Sequence, residues 1–246
     1  MDHSGPITVL WAVRLLILAV LLATSALAGP ILTVQPVIVQ SATSASAIQN
    51  DLDFSEVIFS QIGLEVAFLP ALSSATLPSN MVFTAQGLAP YIFDSTWQPM
   101  PILTLFYVAL IDSNPGIRGV SVTLELLSGE LRTFVAAAPN RANDTVAHEI
   151  AHVLTDYFAY EQPIPGDPAH SGNPLNLLAP GSSRLLPQLL TDVQGNGGNR
   201  SQITADQSQA MLASDFVVPE PGSAMLIVIG IGALAWKRYR TTRLAA

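Results

Sequence analysis

Residues 102–111 read Ile-Leu-Thr-Leu-Phe-Tyr-Val-Ala-Leu-Ile, ten positions without a charge. A strand that meets water on one face alternates apolar and polar residues. A run that is apolar at both parities must be covered on both sides. The chain is therefore expected to build a sheet with this segment as a central strand. Residues 32–40 and 64–69 read as further strands, and 120–127 and 132–138 either pair as a hairpin around Ser128-Gly129 or serve separately as an edge and a central strand. The 50–63 segment has apolar residues at helical spacing, opens with Asn50 and Asp51 as candidate caps and stops at Gly63. The stretch 70–80 reads as loop and 112–116 as a turn. Near the end, Thr204 and Gln207 form a capping-box pattern ahead of a helix over 206–216. Strands followed by a long helix make an α+β layer fold: a twisted mixed sheet packed on that helix, with a smaller C-terminal part.

Composition narrows the chemistry. Half of the 246 residues are apolar, which excludes an acidic disordered chain. Eighteen acidic residues against ten basic ones, with no basic run mid-chain, disfavour nucleic acid as a partner. There is no cysteine, hence no disulfide framework, no thiolate metal site and no cysteine nucleophile.

Much of the hydrophobicity sits at the ends. Arg14, the apolar stretch 15–23 and Ala26-Leu27-Ala28 have the order of a secretory signal peptide over 1–28, with cleavage after Ala28. At the other end, Val218-Pro219-Glu220-Pro221 precedes the apolar stretch 224–236 and a basic cluster, Lys237, Arg238, Arg240 and Arg243. Thirteen residues as a helix reach about 20 Å, short of a ~30 Å hydrocarbon core, a gap that Lys237, Arg238 and Trp236 narrow by lying at the interface. This order resembles the PEP-CTERM sorting signal of Gram-negative bacteria. The resemblance implies an exported, surface or extracellular-matrix protein, anchored transiently in the inner membrane by residues 218–246 and processed by an exosortase-type partner. The domain between the ends, 29–217, holds five arginines, no lysine and sixteen acidic residues, a net charge of −11.

Within it, residues 144–160 carry the chemistry. Asp144 is a candidate N-cap, and Val146, Ile150, Val153 and Leu154 supply an apolar face. His148-Glu149-Ile150-Ala151-His152 places two imidazoles one turn apart on one helix face, suited to Zn²⁺, with Glu149 beside the metal. Glu149 is placed to take a proton from zinc-activated water and hand it to a leaving amine. The third ligand must lie downstream, among Asp156, Glu161, Asp167 and His170. His170 is favoured: the chain has four histidines, and His3 leaves with the leader. Asp156 reads better as a carboxylate orienting a ligating imidazole. Tyr157 and Tyr160 are candidates to polarise an intermediate, but aromatic residues at this spacing more often pack in a core. The 192–200 loop reads as flexible, with calcium binding as its lesser alternative.

The motif, the later histidine and Asn176-Leu177-Leu178-Ala179-Pro180-Gly181 together resemble the metzincin-like zinc metallopeptidases. In that family the HExxH helix is followed by a third histidine and a tight turn beneath the metal. The resemblance spans roughly 100–182 and implies a zincin-like fold, zinc held by His148, His152 and His170, Glu149 as the catalytic residue, and a peptide or protein substrate. Two departures stand out. Thr155 occupies the place of the family's turn glycine, so the helix is expected to run on to about Tyr160, where Pro163 and Pro165 end it. Leu178 stands where the family turn has Met. Two other readings remain: a non-catalytic surface or matrix protein with a structural or vestigial zinc site, and a zinc amidase acting on cell-envelope material.

Overall fold

A computed structural model describes residues 29–39, 42–74, 100–111, 116–125, 131–160 and 162–219. The expected leader, the sorting tail from Glu220 onward, Glu161, residues 112–115 of the expected turn, and the expected hairpin turn at Ser128-Gly129 lie outside them. Among the described residues no helix is long and apolar enough to cross a membrane. In chain order the elements of the 31–218 unit are β1 (Ile31–Val39), α1 (Ala45–Ser60), β2 (Glu65–Phe68), β3 (Leu72–Ser74), β4 (Leu103–Tyr107), β5 (Gly119–Glu125), β6 (Leu131–Ala137), α2 (Thr145–Leu154), β7 (Pro163–Ile164), β8 (Asp167–Ser171), α3 (Ala205–Leu212) and β9 (Val217–Val218). A single 3₁₀ turn covers Leu190–Asp192.

The main sheet has the order β2-β1-β4-β6-β5. The β1, β2, β4 and β6 pairings are parallel, and β5 runs antiparallel to β6 at the edge. β3, inside the segment expected to be loop, continues the β2 edge by pairing with Val37–Val39. β9 adds antiparallel at Ile31 and Leu32. Both readings of the 120–138 region therefore hold in part, since β5 and β6 pair with each other while β6 also joins β4.

The central run is apolar at both parities because both faces are covered. Leu103, Leu105 and Tyr107 join Leu32, Val34 and Val135 in a core completed by Phe54, Ile58 and Phe59 of α1 and Val146, Ile150 and Ala151 of α2. Phe106 belongs to a second cluster with Val37, Val39, Phe134 and Ala136 on the other face. Each large apolar side chain buried this way contributes about 1.5–3 kcal/mol.

Helix ends differ from expectation for identifiable reasons. α1 begins five residues early because Ser44, in an extended conformation, accepts from Ala47 N at 3.2 Å and caps the helix there. Gly63, with φ of 70°, lies in the turn that follows. α3 opens as expected on the Thr204–Gln207 capping box. α2 stops at Leu154 instead of running to Tyr160. Its end is a Schellman closure: Asp156 N donates to Val153 O at 3.3 Å and Tyr157 N to His152 O at 2.8 Å. Asp156 takes the left-handed position, φ 52°, that glycine usually fills. Asp144 does not cap α2 with its side chain. Its carboxylate is turned instead to Arg184 and Ser201.

Candidate metal centre

All ten residues of α2 are buried, so this helix is fixed by packing on every side. It presents His148 and His152 to a point that β8 approaches with His170. The β7–β8 hairpin turns at Pro165-Gly166, and Ser171 N donates to Leu178 O at 2.9 Å, which ties β8 to the turn at 176–181. One ligand atom from each of His148, His152 and His170 falls within 4.8 Å of the others. The His148 and His152 Nε2 atoms are 3.1 Å apart.

The hydrogen bonds behind the rings settle which nitrogens face inward. His148 Nδ1 lies 2.6 Å from Leu177 O, and the tautomer protonated there donates to that carbonyl and leaves Nε2 as an electron-pair donor. His170 Nδ1 lies 2.8 Å from Asp167 Oδ2, an arrangement that leaves its Nε2 free in the same way. His152 Nδ1 is buried without a hydrogen-bond partner among the described residues. Burial, reinforced for His148 by Arg184, holds the His148 imidazole well below its ordinary pKa, and burial brings His152 down to about 3. Imidazole nitrogens converging on one point are a donor set that suits a divalent cation. A metal held by these three residues alone would have a fourth coordination position open.

Of the other ligand candidates, Asp156 is exposed and Asp167 serves as the partner of His170. In the asparagine turn over 176–181, the Leu177 carbonyl lies beside His148 and the Leu178 carbonyl accepts from Ser171 N. Leu178 is fully buried, and Asn176 Nδ2 donates to Gln207 Oε1 at 3.0 Å while Gln207 Nε2 donates to Ala159 O at 2.8 Å. This clasp of two buried amides holds the turn against α3.

Glu149 is buried beside the cluster. Burial pushes its carboxyl up to about 7, against the opposing pull of hydrogen bonds from Ser121 and of the Arg184 charge. Ser121 belongs to the edge strand. Ala138 N donates to Arg118 O at 2.8 Å, so residues 118 and 138 form a bonded pair. By antiparallel alternation the backbone groups of Gly119, Ser121 and Thr123 then point away from β6.

Several site residues were not visible to sequence reasoning. Arg184 is buried, pairs with Asp144 (Nε to Oδ2 3.2 Å), donates to Ala179 O at 3.1 Å and touches His148 Nδ1. Gly119 and Ser121 enter only through the close approach of β5 to α2. Tyr157 lines the cleft rather than packing in a core: its ring lies nearly parallel to that of His152, centroids 6.3 Å apart, and its hydroxyl is 3.4 Å from Thr123 Oγ1. Tyr160 is exposed and pairs with Phe158. In the 192–200 loop, Asp192 accepts from Gln188 N and Leu189 N, and no group of potential metal ligands forms there.

The three histidines, Glu149, Ser121 and Tyr157 line one cleft of about 640 Å³, with Arg118, Gly119, Thr145, Ala169, Gly181 and Leu186 among its other walls. No protein-family model matches this sequence, and no curated protein matches it. In fold, the chain is similar to the crystal structure of metalloproteinase-II from Bacteroides fragilis, at 13% identity and a TM-score of 0.51 over 75% of this chain. The chain spans about half of that structure, 53% of its length. The mixed α/β architecture thus resembles a metalloproteinase fold, and its three-histidine group could hold a metal.

Proposed function

We propose that the protein is an exported zinc-dependent endopeptidase. The observation that carries this reading is the placement of a buried carboxylic acid, Glu149, beside three converging imidazoles in a cleft open along a sheet edge. The donor set favours zinc, which suits nitrogen ligands and an open fourth position. Bound there, zinc would supply Lewis acidity and lower the pKa of water to about 7.

The chain's own residues then divide the work. β5 offers the outward N–H and C=O groups of Gly119 and Thr123 and the C=O of Ser121 to an extended peptide, which adds as a further strand, while the Ser121 N–H is engaged by Glu149. That ladder places one peptide bond over the cluster. Glu149, oriented by Ser121, takes the proton of the attacking water and carries it to the leaving nitrogen. Leu177 O and Asp167 keep the His148 and His170 rings turned toward the centre.

Export and sorting belong to the same proposal. They are supported by the signal-peptide order over 1–28 and the Pro-Glu-Pro, apolar and basic order over 218–246.

Metal analysis of the full chain, paired with hydrolysis of a generic peptide, tests the reading. One zinc per chain and hydrolysis that is lost in Glu149→Ala while zinc is retained are expected. Hydrolysis intact in Glu149→Ala would falsify the mechanism, and zinc bound without any hydrolysis would favour a structural site.

A further inference from the structure

The domain distributes its charge unevenly. Against the net −11 of residues 29–217, the described residues lining the cleft include two arginines, Arg118 and Arg184, and a single acidic residue, Glu149. The arginines are not equivalent. Arg184 is buried and ion-paired with Asp144. Arg118 is half-buried, donates through Nη1 to Pro139 O at 3.0 Å, and pairs with no carboxylate among the described residues. One fork nitrogen anchored on a backbone carbonyl restrains the guanidinium, and its other N–H groups suit a planar anion.

We propose that Arg118 forms a carboxylate-binding subsite in the cleft, on the carboxyl-terminal side of the peptide bond to be cleaved. The inference rests on the peptide-cleft reading above and names its substrate class: peptides with an acidic side chain, or a free C-terminal carboxylate, just beyond that bond.

The placement follows from the run of β5 over α2. Gly119 sits against Thr145 and Glu149, in the first half of the helix, whereas Thr123 reaches Tyr157, beyond its last turn. β5 therefore passes along α2 from its N-terminal to its C-terminal end. A peptide paired antiparallel to β5, the more stable ladder, enters beside Thr123 and leaves past Gly119 and Arg118. Asn140, next in sequence to the Pro139 that holds Arg118, also lines the cleft. The positive end of the α2 dipole lies on the same side, which favours a negative group there.

The test is binding to the full-length, metal-free protein, where no turnover intervenes. Three labelled hexapeptides are compared by fluorescence polarisation: a neutral amidated one, one with an internal Glu and an amidated end, and a neutral one with a free acid end. At least one carboxylate-bearing peptide is expected to bind about tenfold tighter than the neutral one, the size of a single charged hydrogen-bonded contact. Which of the two gains identifies side chain or terminus as the source.

The advantage should vanish in Arg118→Gln, survive in part in Arg118→Lys, and shrink at about 0.5 M sodium chloride. Equal binding of all three peptides by the wild type, or an advantage that persists in Arg118→Gln, overturns the proposal. With zinc added, mass spectrometry of the products locates the cut. An acidic preference on the amino-terminal side overturns the placement. Zinc-loaded protein that binds with this preference yet cleaves nothing overturns the peptidase reading and leaves the subsite standing.

Discussion

A Cβ on Gly119 would stand 2.8 Å from Cγ of Glu149 and 2.7 Å from Cγ2 of Thr145. The proposed base thus occupies space that any other residue at position 119 would fill. Gly119→Ala must displace the Glu149 and Thr145 side chains or push β5 from α2, at a cost of about 1–3 kcal/mol for overpacking. Hydrolysis should suffer more than stability, since a displacement of about 1 Å at a reacting centre costs on the order of 10²-fold. Denaturant unfolding and kcat measured on one preparation check this, and an unchanged kcat would show that Glu149 does not depend on the close approach.

Glu149→Gln keeps the shape of the side chain and removes the base. Zinc content should stay at the wild-type level, and kcat should fall about 10²–10⁴-fold. In the metal-free protein burial raises this carboxyl to about 7. A nearby cation favours the ionised form, so in zinc-loaded protein the acid limb of kcat/KM should lie below 7, activity being lost as pH falls through it. An acid limb above 7 would remove Glu149 from the role of base.

The parts of this site that were legible in the sequence are those set by local spacing. Two histidines at i and i+4 share a helix face whatever else the chain does, and His170 stood out because few histidines remained to choose from. The helix end was misread because Asp156, not glycine, takes the left-handed position of the Schellman closure. Asp144 looked like a cap, but a buried guanidinium forty residues away claims its carboxylate. Arg184, Ser121 and Gly119 carry no local signature at all. Their roles arise only when β5 and the asparagine turn are folded against α2, and pattern reading has no access to that approach.

Asp167 supports His170 from behind, with Oδ2 2.8 Å from Nδ1. Asp167→Asn leaves a neutral acceptor in place of the carboxylate, which makes the imidazole a poorer and less firmly oriented ligand. Zinc affinity should weaken about 10–100-fold, read by competition with a chromophoric chelator. The side chain is 46% exposed, so folding should be little altered. Equal zinc affinity in the variant would mean that His170 is held by packing alone.

The buried histidines also set an acid limit on the metal-free fold. Both His148 and His152 have folded-state pKa values below the ordinary 6.5, chiefly through burial, with His152 near 3. Between the folded and unfolded values the unfolded chain binds more protons, so stability rises with pH in that window. The contribution is complete above about 6.5 and is lost progressively below it, with a slope approaching about 1.4 kcal/mol per pH unit for each histidine. The melting temperature of metal-free full-length protein should therefore change little between about pH 7 and 8 and drop from about pH 6 downward. Zinc should delay the fall, because it binds only the deprotonated rings. Other groups titrate in the same range, so the decisive quantity is the difference from a His148→Asn, His152→Asn double variant. That variant should show a shallower decline, and a decline equal to the wild type's would mean that these imidazoles are not the groups kept neutral by the fold.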